Sequence, residues 1–110
     1  MELFKWQNGR QGTGYQIFPI AFWNLLLKFD IYLIHYMVGS FIPPHKDPNN
    51  GGKHYRLNIE LWRGEGGIFH CDEIIFKFWR FILFRPDINT HYVTQVTAGN
   101  RYVLFIGWLI

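Results

Sequence analysis

The sequence predicts an all-β domain, a sandwich or barrel whose best single description is a small jelly roll. Three observations carry that reading. Runs of β-branched and aromatic residues of strand length recur along the chain, with Gly, Pro and Asn punctuation between them. Residues 54–63 alternate apolar Tyr55, Leu57, Ile59 and Leu61 with polar His54, Arg56, Asn58 and Glu60, the period of a strand with one apolar and one polar face. Apolar residues make up 49% of the 110 positions, enough to build one core, while 11 Gly and 5 Pro spread through the chain favour many short elements.

Taken in order, residues 1–16 are polar and Gly-rich (Gly9, Gly12, Gly14) and read as irregular. Residues 18–28 read as a short helix, because Phe22, Trp23, Leu26 and Leu27 can share one face at helical spacing. Residues 1–29 are thus expected to form an irregular or helical N-terminal extension. The β-rich run 30–38 ends at Gly39-Ser40 and reads as a buried strand. Three Pro and two Gly make 41–52 a loop or interrupted strand. After the alternating strand 54–63 comes a turn at 64–67, then strands near 68–71, 74–78, 80–85, 90–97 and 101–110. Turn signals sit at Arg85-Pro86-Asp87 and Ala98-Gly99-Asn100. The whole chain, 1–110, is expected to be a single domain.

Composition excludes several function classes. An aromatic content of 20% and only 17% charged residues are incompatible with disorder. The lone Cys71 rules out an internal disulfide framework and fits a reducing compartment. Net charge is +3, but the basic residues stand singly and form no stripe, so nucleic-acid binding has no support while an anionic small molecule would meet a favourable field. Lys28, Asp30 and His35 interrupt the apolar stretch 17–42, and the run 102–110 is too short to span a bilayer. No apolar signal region follows Glu2, Lys5 and Arg10, so a cytoplasmic setting is expected.

The chemistry concentrates in His45-Lys46-Asp47, a distant His91, and Arg101. A His and an Asp two apart in extended backbone project to the same side. A second His from a distant strand completes two imidazoles and a carboxylate, which cap one face of an octahedral ion and leave the other open, the donor set of non-haem Fe(II). Alone, His-x-Asp is a weak signal, and a single His on a strand is more often structural. The ordered set is what lifts the reading.

Several segments resemble those of the Fe(II)/2-oxoglutarate-dependent oxygenases. Tyr36-Met37-Val38-Gly39 followed by His45-Lys46-Asp47 is similar to the family's Y-x-x-G and H-x-D segment, and Gly66-Gly67-Ile68-Phe69 to its G-G turn into the next strand. Phe84-Arg85-Pro86-Asp87, leading to His91-Tyr92-Val93, resembles the approach to the distal iron histidine. Gly99-Asn100-Arg101-Tyr102-Val103-Leu104 resembles the G-x-R-x-x-L segment of the co-substrate arginine. The prolyl-hydroxylase-like branch is nearest in character, and the RLNIEL run at 56–61 is loosely similar to the Arg-bearing strand of aspartyl/asparaginyl hydroxylases.

The resemblance spans residues 30–110 and implies a double-stranded β-helix there, the jelly roll of cupin-like proteins. It implies that His45, Asp47 and His91 ligate Fe(II), and that Arg101 clamps the distal carboxylate of 2-oxoglutarate, a role suited to a forked, permanently charged guanidinium. Tyr36 could add a hydroxyl to the same acid, and Arg56 could line the pocket, against the plainer readings of a core aromatic and a solvated cation. The implied reaction consumes dioxygen, releases succinate and CO2, and hydroxylates a substrate C–H. The carboxylate of Asp47 favours hydroxylation over halogenation, which leaves that position free for a halide.

One geometric condition follows. In a flat hairpin of 90–96 with 101–104, His91 would lie ~17 Å from Arg101 at the usual strand rise, too far for one five-carbon diacid. The two segments must therefore face each other across a sandwich. The short chain leaves little room for a lid, so an open site is expected, for a protein side chain rather than a small molecule, and so apolar a domain has surface to bury in a homodimer. The alternative from another class is a catalytically silent β-sandwich module binding a carboxylate or sugar through Tyr36, Arg56 and Arg101. A third is a cupin-like Zn or Mn protein. His70-Cys71-Asp72-Glu73 cannot close a tetrahedral site, and Gly9-Arg10-Gln11-Gly12-Thr13-Gly14 lacks the Lys of a phosphate loop and reads as a flap. No Ser-His-Asp or Cys-His pattern supports hydrolysis.

Overall fold

Two curved antiparallel layers enclose the interior in the computed structural model, which describes residues 3–9, 11–24, 28–48 and 52–110. The strands are β1 (Gln7–Asn8), β2 (Gln16–Asn24), β3 (Lys28–Tyr36), β4 (Ile42–His45), β5 (His54–Trp62) and β6 (Glu65–Gly66) in the first half. The second half adds β7 (Phe69–Cys71), β8 (Ile74–Phe78), β9 (Phe81–Phe84), β10 (His91–Val93), β11 (Val96–Ala98) and β12 (Arg101–Leu109). A seven-stranded sheet has the order β1-β2-β3-β12-β5-β9-β8, facing a three-stranded sheet β4-β10-β7, and β11 pairs with β6. The chain passes from large sheet to small and back: β3 to β4, β4 to β5, β9 to β10. That alternation is the winding of a double-stranded β-helix.

The described part of the segment expected to be helical is strand, with residues 18–24 in β2 and Lys28 opening β3. Tyr15, Ile17 and Pro19 are buried while Gln16, Phe18 and Ile20 are not, a period of two, and β2 pairs with β3 through Ile17↔Ile34 and Phe18↔Leu33. Pro19 cannot donate to a helical ladder, and it sits where the register shifts between Pro19 and Ala21, a bulge that tolerates the missing donor. The Leu26 and Leu27 of the expected helical face lie outside the described residues, as does Arg10 of the Gly-rich segment. Among the described residues no helix is long and apolar enough to cross a membrane.

The run read as one strand over 90–97 is two. β10 joins β4 and β7, whereas β11 turns to pair with β6, with the Val96 amide donating to Ser40 O and its carbonyl accepting from the Gly39 amide. β10 and β12 consequently lie in different sheets and not in one flat hairpin.

The core is where the inner faces meet: Tyr15, Ile17, Tyr32, Ile34 and Tyr36 from the N-terminal strands against Val93, Val96, Val103 and Phe105. β12 shows the pleat most clearly, with Arg101, Val103, Phe105 and Gly107 buried and the residues between them half-buried. β5 keeps its alternation but turns its polar face inward. Arg56 and Glu60 reach Asp47 and Arg101 inside the barrel, whereas Leu61 is 45% exposed on the outer side. A strand of this polarity is laid down for a polar interior.

Candidate metal centre

The end of β4 and the start of β10 place two imidazoles side by side. His45 and His91 are register partners in that ladder, with ring centroids 4.3 Å apart. Asp47 follows in the loop, fixed by its amide donating to Pro86 O at 2.8 Å. One oxygen or nitrogen from each of His45, Asp47 and His91 lies within 4.8 Å of the others.

The hydrogen bonds behind the rings decide what they present. His45 Nδ1 lies 2.7 Å from Pro43 O, and His91 Nδ1 2.9 Å from Asn89 O. A carbonyl only accepts, so each Nδ1 carries the proton and each Nε2 keeps its lone pair. Both Nε2 atoms face the carboxylate, His45 Nε2 at 3.5 Å from Oδ1 and His91 Nε2 at 3.4 Å from Oδ2. Three electron-pair donors converge, and the buried His91 Nε2 has no hydrogen-bond partner. A divalent cation satisfies such a set, and the carbonyls behind the rings are the second layer that orients imidazole ligands.

Asp47 is held anionic. Burial opposes its charge, but hydrogen bonding from the His91 ring in its protonated form, and then the Arg56 guanidinium, outweigh burial and keep the carboxyl well below the usual aspartate range. Arg56 Nη1 donates to Asp47 Oδ2 at 3.3 Å, and its guanidinium lies 4.6 Å over the Phe105 ring, while its Nε is buried without a partner. Below the imidazoles, Phe84 is wholly buried, 5.2 Å from the His91 ring and 4.8 Å from Phe69. The approach to His91 is braced by Arg85, whose Nε and Nη2 donate to Asp87 at 3.2 and 2.7 Å, and by the Asn89 amide donating to Arg85 O.

Tyr36 and Arg101 form a second group. They are register partners on β3 and β12, with the guanidinium 4.6 Å above the phenol ring. Burial raises the Tyr36 pKa, and the charges of Arg101 and Arg56 oppose that rise, so the hydroxyl lies in the field of both guanidiniums. Arg101 Nε donates to Glu60 Oε1 at 3.3 Å, and its buried Nη1 has no partner.

The structure thus gathers His45, Asp47, His91 and Arg56 at one end of the inner face, and Tyr36 with Arg101 at the other. Arg101 and Phe105, which seats Arg56, stand four positions apart on β12, ~13 Å at the strand rise. They also open onto different spaces. His45, Asp47 and Arg56 line a cavity of about 70 Å³ together with Gln11, Tyr15 and Asp30, whereas Arg101 lines a chamber of about 390 Å³. Gln11 brings the Gly-rich segment to the metal cavity. In the 70–73 run, His70 stacks on Tyr92 and Cys71 Sγ contacts Glu73 O. Glu60 and Phe105 escaped the sequence reading. Glu60 could have been found from its place on the polar face of β5, but Phe105 carries no signal beyond being apolar in an apolar strand.

The chain matches no protein-family model and no curated protein. It is similar in structure to KdgF from Halomonas sp., with a TM-score of 0.64 at 12% identity over 100% of this chain and 94% of that one. It is also similar to a Pseudomonas putida prolyl-4-hydroxylase, with a TM-score of 0.67 at 15% identity over 96% of this chain and 77% of that one. These likenesses show the fold: the chain is an all-β double-stranded β-helix of the kind shared by cupins and 2-oxoglutarate oxygenases.

Proposed function

We propose that the chain is an Fe(II)- and 2-oxoglutarate-dependent dioxygenase that hydroxylates a substrate C–H. The observation that carries this reading is the convergence of His45 Nε2, Asp47 and His91 Nε2 with both Nδ1 protons already committed to carbonyls. Likeness in fold to a prolyl-4-hydroxylase supports it.

His45, Asp47 and His91 would hold the ion with three donors, few enough to leave room at it for the keto acid and dioxygen. When bound, ferrous ion would activate dioxygen, the oxidant, one oxygen atom going into the succinate formed from 2-oxoglutarate with loss of CO2 and the other into the hydroxylated substrate C–H. This chain's residues do the positioning. The Pro43 and Asn89 carbonyls fix the tautomer and aim of the ligating rings. Arg56 neutralises part of the Asp47 charge and sits where it can orient the acid end nearest the metal. Arg101 takes the distal carboxylate with its unpartnered Nη1, and Tyr36, its register partner, stands beside it under the guanidinium. The substrate favoured is an exposed protein side chain.

The test is succinate release from 2-oxoglutarate by the Fe(II)-loaded protein, with peptides and with free amino acids offered as substrates. Succinate formation stimulated by peptides is expected. An iron-loaded protein that makes no succinate contradicts the reaction, and turnover confined to free small molecules contradicts the substrate class.

A second reading is favoured by one observation: among the described residues, none of those lining the metal cavity also lines the chamber of Arg101. A cupin-like metal protein that never uses the diacid would have this separation. In that case substitution of Arg101 leaves metal-dependent activity intact.

A further inference from the structure

The chamber beneath the β8–β9 hairpin has a chemistry of its own. Four cations line it, Arg63, Lys77, Arg80 and Arg101, against one carboxylate, Glu60. That carboxylate is already shared: Oε2 accepts from Arg63 Nε at 2.9 Å and Oε1 from Arg101 Nε at 3.3 Å. Arg80 is fixed as a wall by Nη1 donating to Glu60 O and Leu61 O at 3.2 and 2.9 Å. Among the described residues no carboxylate pairs with Arg80 or Lys77. Cations gathered in a concave wall repel one another, and in the absence of acids the group that offsets them is a bound anion.

Two further features point the same way. Deep in the chamber, Arg101 Nη1 is a buried donor without a hydrogen-bond partner, an arrangement that native interiors avoid unless a ligand or water completes it. At the mouth, Trp79 takes a φ of 52°, a left-handed conformation that bulky side chains rarely adopt. That turn position would suit glycine. The strained backbone instead holds an indole that is 69% exposed beside the chamber, with the Arg80 guanidinium 5.3 Å from its ring.

We propose that this chamber is a second binding site, for a small, multiply charged oxyanion, its phosphate or carboxylate oxygens held by Lys77, Arg80 and the free nitrogen of Arg101. Guanidiniums fork onto such oxygens, and three cations set apart around a wall suit several oxygens better than a single monovalent ion. A metal cation is repelled there. The site needs no metal; it shares Arg101 with the oxygenase reading, so the two ligands exclude each other at that residue, whereas Lys77 and Arg80 belong to this site alone.

The experiment uses the full chain freed of metal with chelator and then dialysed. Pyrophosphate and, separately, citrate are titrated at constant ionic strength held with chloride, followed by calorimetry and tryptophan fluorescence. Saturable binding of one molecule of either anion is expected, and which one binds distinguishes a phosphate source from a carboxylate source. Lys77→Glu, at an exposed position where folding is safe, should weaken it at least ten-fold, as should Arg80→Gln if that variant folds. His91→Ala should leave it unchanged. The proposal is overturned if neither anion saturates, if Lys77→Glu binds as tightly as the parent, or if binding disappears in His91→Ala, which would place the anion in the metal cavity.

Discussion

His45 and His91 stand directly opposite each other in the β4–β10 ladder, and each is locked by a hydrogen bond from its own Nδ1 to the carbonyl two residues earlier. The same local device, repeated on two strands that meet only through the fold, turns both Nε2 atoms toward Asp47. Metal binding therefore depends on strand register as much as on residue identity, because a slip of one position would send one ring to the other side of the small sheet.

His91→Ala removes the buried donor of the set. Ferrous or zinc affinity, read by equilibrium dialysis, should fall by at least about 100-fold, since even the loss of an outer hydrogen-bond partner costs 10–100-fold at metal sites. Undiminished affinity would remove His91 from the centre.

Phe84→Ala empties a wholly buried site against Phe69 and the His91 ring. Urea unfolding of the metal-free protein should show a loss of about 3–5 kcal/mol. Phe84→Leu, which keeps most of the volume, should lose less. Equal effects of the two would show that packing at Phe84 is not what supports the histidine.

Asp87 carries the pH dependence of the brace before His91. Burial works against its charge, but the Arg85 guanidinium and the His54 amide hold its folded-state pKa below the ordinary aspartate value. A lowered folded pKa gives stability that is present above the unfolded aspartate range and is lost as pH falls through the folded value. Asp87→Asn should therefore be less stable than the parent at pH 7, modestly so because solvent screens the pair. The gap from the parent should narrow as pH falls below the aspartate range, in thermal melts run at a series of pH values. A gap that stays constant with pH would contradict the assignment.

Gly107 lies where β12 passes the metal cavity, and a Cβ there would fall 2.5 Å from Asp30 Oδ1 and 3.1 Å from His54 Nε2. Gly107→Ala should cost about 1–3 kcal/mol, the usual penalty of overpacking. It should also lower metal affinity through displacement of Asp30, which lines the cavity. Parental stability in a chemical melt would contradict the close approach.

Arg101→Lys keeps the charge and loses the fork. In the oxygenase reading the affinity for 2-oxoglutarate, measured by calorimetry on the zinc-loaded protein, should drop about ten-fold, or about 1.4 kcal/mol, with metal affinity unchanged. Unaltered affinity would favour the metal protein that does not use the diacid.

The alternation of β5 was legible in the sequence, but not which way it faced. Arg56 could line a pocket or meet solvent, and both it and Glu60 serve partners inside the barrel that only the tertiary fold supplies. The β2 segment misled because Phe22, Trp23, Leu26 and Leu27 satisfy helical spacing, while the deciding signals were Pro19 and the two-residue period of Tyr15, Ile17 and Pro19. His45, Asp47 and His91 could be singled out because ligand chemistry restricts residue type and order. The seat of Arg56 on Phe105 and the grip of Glu60 on Arg101 could not, since those contacts join strands far apart in sequence through ordinary side chains.

The most direct measurement is the visible spectrum of the anaerobic protein with one equivalent of Fe(II), before and after 2-oxoglutarate is added. The account predicts a weak charge-transfer band that appears only with the keto acid and is absent from the His91→Ala variant. Iron that fails to bind, or a band that persists when His91 is removed, would contradict a ferrous centre built from His45, Asp47 and His91.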